Sequence, residues 1–375
     1  MNISMTLSRY MAKNYLFNTL SMLFGLLSIV YLFDTVELLR RASKHDDMSL
    51  GLVLQMGILK LPEVGQVLFP FAILFSAMLT FWQFNRRSEL VVLRASGFSV
   101  WQFLMPIALL ALMIGVLQIT IINPVGALLI GKYEQLESEY LSKQDNQIAL
   151  FREGLWLRQT IDGGPFEEQN DLEQGYVILH AKKINQEGWV LRDVTVFYFG
   201  EEDNFLLRLD APKATLEKGR WLFENAHTHD ASGQDKQSPY FALPTQLTIN
   251  DVEESFSSPE SMSFWNLPGH IQTLESTGFE TSRLRVHYHN LLSQPLFLAA
   301  MVLLAATVAM RPPRNGGTLI LFGTGIFIGF VIFFMSSYLQ ALGYSSQIPP
   351  ILSAWSPAII CFLLGLSMII HLEDG

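Results

Sequence analysis

The chain has 375 residues and a single cysteine, Cys361, so no disulfide can form within it. It contains no G-x-x-x-x-G-K-[ST] phosphate loop, no H-E-x-x-H and no G-x-S-x-G. Nucleotide binding, zinc proteolysis and serine hydrolysis by these motifs are therefore excluded, and the chain reads as no enzyme with no catalytic residue. His227-x-His229 and His287-x-His289 have a repeating spacing. Neither has a second ligand pair at metal-site spacing, so both read as polar histidines and no metal ligand is assigned.

Charge is the other scarcity. Five runs have no Asp, Glu, Lys or Arg: Asn14 to Phe33, Val64 to Asn85, Ala95 to Gly131, Asn290 to Met310, and Asn315 to Ile370. A bilayer core of about 30 Å needs around 20 apolar residues in a helix. The last run, at 56 residues, is too long for one helix. Its middle, Gly343-Tyr344-Ser345-Ser346-Gln347-Ile348-Pro349-Pro350, has turn chemistry, which divides it in two. The expectation is six membrane-spanning helices, three on each side of a soluble domain. The first run is too long for a signal-peptide core and no small-residue cleavage site follows it, so it reads as an uncleaved helix.

Lys and Arg in the short loops set the orientation. One face carries Arg9, Lys13, Arg86, Arg87, Arg94, Arg311 and Arg314; the other carries Arg40, Arg41, Lys44, the middle domain and the uncharged 343–350 turn. The first face is read as cytoplasmic, with both termini on it. Arg40-Arg41 runs against the trend and needs its own reason. Residues 127–290 hold 14 basic and 26 acidic side chains, a balance of −12, while the rest carries +3. An acidic outer domain argues against a nucleic-acid partner.

Within that domain short alternating runs recur, such as Gly154 to Arg158, Gly175 to Leu179, Trp189 to Tyr198 and Phe241 to Ile249, separated by Gly, Asn, Asp and Pro. This predicts an all-β sandwich or barrel. Residues 132–145 read as a helical exit from the membrane. A short helix follows near 263–278, with Leu267, Ile271 and Leu274 as its apolar residues, and another begins near Thr281. The expected division is 1–131 (helices one to three), 132–262 (the β domain with its helical lead-in) and 263–375 (a connecting helix and helices four to six).

Acidic residues are absent from the middle of helices three to six, which argues against a proton-driven transporter. If the chain moves a substrate, a partner supplies the energy. The cytoplasmic loop at 86–97 is the informative segment: Arg86-Arg87-Ser88-Glu89-Leu90-Val91-Val92-Leu93-Arg94-Ala95-Ser96-Gly97. Ser88 suits an N-cap, Glu89 suits the positive helix end, and Gly97 suits the position past the C-cap. Glu89 shares a face with Leu93, and Leu90 with Arg94. Two readings stand: apolar residues pressed into a groove on a cytoplasmic partner, or an amphipathic helix on the membrane surface.

This segment resembles the coupling-helix motif of the LptF/LptG (YjgP/YjgQ) permeases of lipopolysaccharide export. Arg9-Tyr10, Phe69-Pro70-Phe71-Ala72, Gln294-Pro295-Leu296 and Ile348-Pro349-Pro350 extend the resemblance over essentially the whole chain. The last of these, with Arg87 to Val92, is most similar to the LptG branch. The resemblance implies a bacterial inner-membrane bundle with a periplasmic β-jellyroll. It implies a permease subunit that extracts lipopolysaccharide and passes it to a periplasmic bridge. Its implied partners are an LptF-like permease in a heterodimer, an LptB-like ATPase dimer under the coupling helices, an LptC-like single-helix protein and an LptA-like bridge. The chain itself would bind no cofactor; ATP and Mg would enter through the ATPase. Glu89 would face an arginine on that ATPase.

The resemblance also suggests a role for Arg40, Arg41 and Lys44 as contacts to lipopolysaccharide phosphates, against plain snorkelling to the interface. Asp34 and Glu63 stand where further lysines are expected, with Lys60 as a substitute. Phe69, Phe75, Ile320 and Phe327 are candidates to touch acyl chains. The competing readings are an LptF-type subunit and a membrane anchor or assembly protein that transports nothing.

Overall fold

The computed structural model describes residues 5–43, 48–141, 155–161, 175–185, 190–200, 204–217, 219–230, 235–245, 258–276, 280–310 and 318–374. They form two compact units: 1–141 with 259–267 and 282–375, and 142–258 with 268–281. The division differs from the sequence expectation at both borders. The helical lead-in up to Leu141 belongs with the membrane helices, and most of the connecting helix belongs with the strands.

The helical unit contains α1 (Met5–Ala42), α2 (Leu50–Arg86), the short α3 (Glu89–Ala95), α4 (Val100–Leu117) and α5 (Asn123–Tyr140). The connecting helix is α6 (Leu267–Ser276); α7 (Ser282–Ala309), α8 (Thr318–Tyr344) and α9 (Pro350–Asp374) complete the set. A π-helical turn, Gln118–Ile122, joins α4 to α5, so the third span runs unbroken from Val100 to Glu137. Among the described residues six helices are long and apolar enough to cross a membrane, as expected from the charge-free runs. They overrun those runs because helix continues past the hydrocarbon wherever no breaker stands. α2 begins at Ser49, whose hydroxyl accepts from the Leu52 amide at 3.3 Å. α4 begins with a capping box: the Ser99 hydroxyl accepts from the Trp101 amide, and the Gln102 side chain accepts from the Ser99 amide at 3.1 Å.

The bundle core lies between α2, α4 and α7, around Ile73, Met78, Phe81, Phe103, Leu298 and Val302. Gly115 allows a close approach of α4 to α7, since a Cβ there would stand 2.5 Å from the Cα of Pro295. α1 is held to α2 by polar rungs. Asn18 Nδ2 donates to Thr80 Oγ1 at 2.9 Å and to Gln83 Oε1 at 3.2 Å, and the Thr19 and Ser76 hydroxyls meet at 2.9 Å. Between helices in lipid such bonds matter, because apolar contact with a neighbour gains little over apolar contact with acyl chains.

The second unit carries β1 (Leu155–Ile161), β2 (Gly175–Asn185), β3 (Val190–Gly200), β4 (Phe205–Glu217), β5 (Arg220–Asp230) and β6 (Asp235–Pro244). The all-β class is as expected. Among the described residues the strands form one antiparallel sheet in the order β1-β2-β3-β4-β5-β6, without the crossover connections of a strict jellyroll. Its core includes Leu179, Val196, Tyr198, Leu209, Trp221 and Phe223. The inward set changes parity along the strands. β3 buries Leu191 and then Val194 and Val196; β4 buries Leu209 and Ala211 and then Ala214 and Leu216; β5 buries Trp221 and Phe223 and then Ala226. At each slip the pairing skips residues, near Asp193, Pro212 and Asn225. Asp193 and Asn225 have φ of 52° and 51°, a left-handed conformation that short polar side chains tolerate. The register is the same on either side of each slip, so no residue is inserted: Asp193, Pro212 and Asn225 lie opposite one another, and the three strands change parity together at that level.

Candidate functional site

The segment between α2 and α4 is a rigid turn-helix-turn. α3 covers seven residues, too few to be helical alone in water, so its surroundings must hold it. At its C-terminal end the Phe98 amide donates to the Leu93 carbonyl at 3.1 Å and the Gly97 amide to the Arg94 carbonyl at 3.0 Å. With Gly97 at φ 81° this is a Schellman motif, as the glycine led one to expect. The N-terminal end corrects the sequence reading. Ser88 is itself left-handed at φ 56° and its hydroxyl makes no capping bond. Two tight turns in succession leave it no extended conformation from which to cap.

Leu90 is also corrected. It is buried in this chain's own core, with Leu93 packed against the same cluster, so neither is free to enter a partner's groove. They anchor α3 to the bundle. The outward apolar pair is Val91 and Val92, 59% and 61% exposed, which the i, i+4 pairing of Leu90 with Arg94 passed over. Arg94 is exposed beside them. Glu89 is steadied from two sides. Tyr10 Oη donates to Glu89 Oε1 at 3.3 Å, and Arg87 Nη1 lies 3.9 Å from the same oxygen. Arg86 lies over the Trp82 ring at 5.2 Å, a cation–π arrangement that fixes the end of α2. The result is a carboxylate, two valines and an arginine presented on a fixed scaffold.

A second cluster lies at the far end of α1. Arg40 forks onto Glu37, with Nε donating to Oε2 at 2.8 Å and Nη2 to Oε1 at 2.6 Å. Arg41 reaches Glu37 at 3.2 Å and Glu137 at 3.4 Å. Both guanidiniums stay largely exposed, and exposed ion pairs are weak and screened, so neither is closed to an anion. Lys44 lies outside the described residues. Lys60 is committed elsewhere: its Nζ donates to Asp34 Oδ1 at 3.0 Å in a mostly buried pair, and it lies over the Tyr133 ring. Asp34, unexpected at this level, is thus the counter-ion of Lys60, which leaves Lys60 poorly placed to serve as a substitute anion ligand.

The four apolar candidates separate. Phe69 is buried in the bundle core and Phe75 packs against it, so Phe69 is unavailable to an acyl chain. Ile320 and Phe327 are 73% and 69% exposed on α8. α2 is apolar on every side, so its sequence gave no sign of which aromatic faces inward.

A family model described as lipopolysaccharide export system permease LptF/LptG matches residues 9–371. Over 372 residues the chain is 26% identical to the lipopolysaccharide export system permease protein LptG of Escherichia coli (strain K12), covering 97% of this chain and 98% of that protein. Its identity to LptG of Haemophilus influenzae is 24%, covering 96% of each chain. LptF of Escherichia coli (strain K12) is 22% identical, covering 99% of this chain and 95% of that one. The match spans both sets of membrane helices and the β unit between them, and this chain belongs to the LptF/LptG family of lipopolysaccharide export permeases.

Proposed function

We propose that the chain is the LptG-type permease subunit of an ATP-driven lipopolysaccharide exporter in the bacterial inner membrane. Both termini and α3 are cytoplasmic, and the β unit is periplasmic. An LptF-like permease pairs with it, an LptB-like ATPase dimer binds beneath, and an LptC-like single helix and an LptA-like bridge continue the path. The permease itself binds no cofactor; ATP and Mg act in the ATPase.

The observation that carries this reading is α3. A two-turn helix is bolted to the bundle by Leu90 and a Schellman turn, and it offers Glu89, Val91, Val92 and Arg94 outward. A rigid lever of this kind passes movement of a bound motor domain to the membrane helices. A helix resting on the membrane surface needs no such fixture, and one serving a passive anchor needs no steadied carboxylate. The greater identity to LptG than to LptF supports the LptG-type assignment over the LptF-type one. Arg40 and Arg41 contact lipid phosphates by exchanging Glu37 for a more highly charged anion.

The test is co-purification with the ATPase in mild detergent. Glu89→Lys is expected to abolish association and export, and Glu89→Gln to weaken both. Retention of ATPase binding and export by Glu89→Lys sinks the coupling assignment. A photo-crosslinker at position 40 or 41 that never captures lipopolysaccharide sinks the phosphate assignment.

A further inference from the structure

α2, α7 and α8 enclose a cavity of about 350 Å3 within the helical unit. Its lining changes character in step along the helices. On α2 it passes from Glu63 and Gln66 to Phe71 and Leu74; on α7 it passes from His287 and Gln294 to Phe297 and Met301. A cavity polar at one end and apolar at the other matches an amphiphile, and this volume lies at the lower end of the range for small-molecule sites.

The polar end has unmet hydrogen-bonding capacity. His287 is 5% exposed and its Nε2 has no partner among the described residues; Gln294 is 9% exposed and its Oε1 has none among them. Gln66 Nε2 is likewise unpartnered. Buried polar atoms are rarely left so, and three converging on this end from α2 and α7 fit a ligand with hydrogen-bonding groups of its own. The charge of the wall selects the ligand's sign. Among the described residues its carboxylates are Glu63 and Glu260 and it includes no lysine or arginine, while nearby Lys60 is held by Asp34. A phosphate head would meet repulsion here, whereas an ammonium would find charge-assisted acceptors.

We propose that this cavity binds an amphiphile with a protonated primary amine head, the ammonium between Glu63 and Glu260 and the alkyl arm among Phe71, Leu74, Phe297 and Met301. This is a site within a single chain, and it does not depend on the export reading. A free alkylamine and a membrane lipid with an ethanolamine head share the required chemistry.

The test uses the full chain in phosphatidylcholine nanodiscs with a diazirine-bearing dodecylamine. Labelling is expected in peptides containing residues 63–74 and 329–340. Unlabelled dodecylamine should compete better than dodecanol or dodecyl phosphate by roughly tenfold or more, the scale of a charge-assisted hydrogen bond. Glu63→Gln combined with Glu260→Gln should erase that preference without abolishing labelling. Ser337→Trp, at an exposed position on the rim, should block labelling while leaving the fold intact. Competition by lysophosphatidylethanolamine equal to that of dodecylamine identifies a lipid head as the source; competition by dodecylamine alone identifies a free amine. Equal competition by dodecanol, a preference that survives the double Gln variant, or labelling outside these helices overturns the proposal.

Discussion

Gly97 closes α3 at φ 81°, and a Cβ built there would meet nothing within 4 Å. A substitution therefore costs backbone strain alone, with no packing change to confuse it. For alanine in the left-handed region that strain is about 1–2 kcal/mol. What opposes it is the anchoring of α3. Burial of Leu90 contributes about 1.5–3 kcal/mol, and the two Schellman hydrogen bonds about 1 kcal/mol each. Gly97→Ala should leave α3 formed but open more often, by roughly five- to thirtyfold. Gly97→Asn should do less, because asparagine tolerates this conformation, and Gly97→Val should do most. Hydrogen exchange of the amides at 92–98 in the detergent-solubilised chain reads the effect without any partner. The order Asn, Ala, Val should reappear as loss of ATPase stimulation, if α3 couples as proposed. Equal exchange in all three variants would refute the reasoning, since the C-terminal turn would then not be what holds α3.

Asp34→Asn and Lys60→Met should each cost about 1–3 kcal/mol by stranding a mostly buried charge. The double variant should lie nearer the parent in thermal unfolding than either single one; strictly additive losses would show that the two do not interact. A double-mutant cycle of Thr19→Val and Ser76→Ala should return a coupling of about 0.6 kcal/mol, the mean for hydrogen bonds between membrane helices, and a coupling of zero would remove that rung from the account of α1. In the β unit, partial burial pushes Asp210 up, but hydrogen bonds from Arg208 and Thr195 more than offset this and hold its carboxyl below the usual 3.8. A lowered folded-state pKa contributes stability above the unfolded value that is lost as pH falls through the folded one. Acid should therefore loosen the β3–β4 amides below about pH 3.9; Arg208→Met should weaken that dependence, and an unchanged acid profile would contradict it.

The spans were legible because absence of charge over 20 or more residues is a property of composition, which survives ignorance of every contact. The turn at Ser345 to Pro349 and the Gly97 stop were legible for a related reason: each is encoded in a few adjacent residues. What depended on helix phase was not. α2 is apolar all round, so nothing local distinguishes inward Phe69 from Phe71, which lines the cavity. That Leu90 is buried while Val91 and Val92 are exposed was not legible, because a two-turn helix gives too few residues to fix a face. The left-handed Ser88 followed from a turn that the neighbouring helices impose. Asp34 seemed misplaced only while Lys60, 26 residues on, was read apart from it. The strand pattern was read as plain alternation, yet the burial changes parity on three neighbouring strands at one level, Asp193, Pro212 and Asn225, and that is visible only once the strands are set side by side.

The same contacts bear on why this fold would need a second chain. Of the most apolar stretch of α7, 78% is buried, against 22% for α8 and 6% for α1. A helix inside lipid gains little by hiding apolar surface from acyl chains, so α7 stays central through close packing, as at Gly115 against Pro295. α1 packs through one side only, with Met11 and Tyr15 buried in the bundle core. It depends on the Asn18 and Thr19 rungs at one end and on the cluster of Leu38, Ala42, Val53 and Met56 at the other. Between these fixtures Phe24, Leu32 and Phe33 face outward, as do Phe327, Phe330 and Phe334 on α8. A helix held along its inner side, as by Asp34 with Lys60, and bare along its outer side can exchange lipid for a neighbouring helix at small cost.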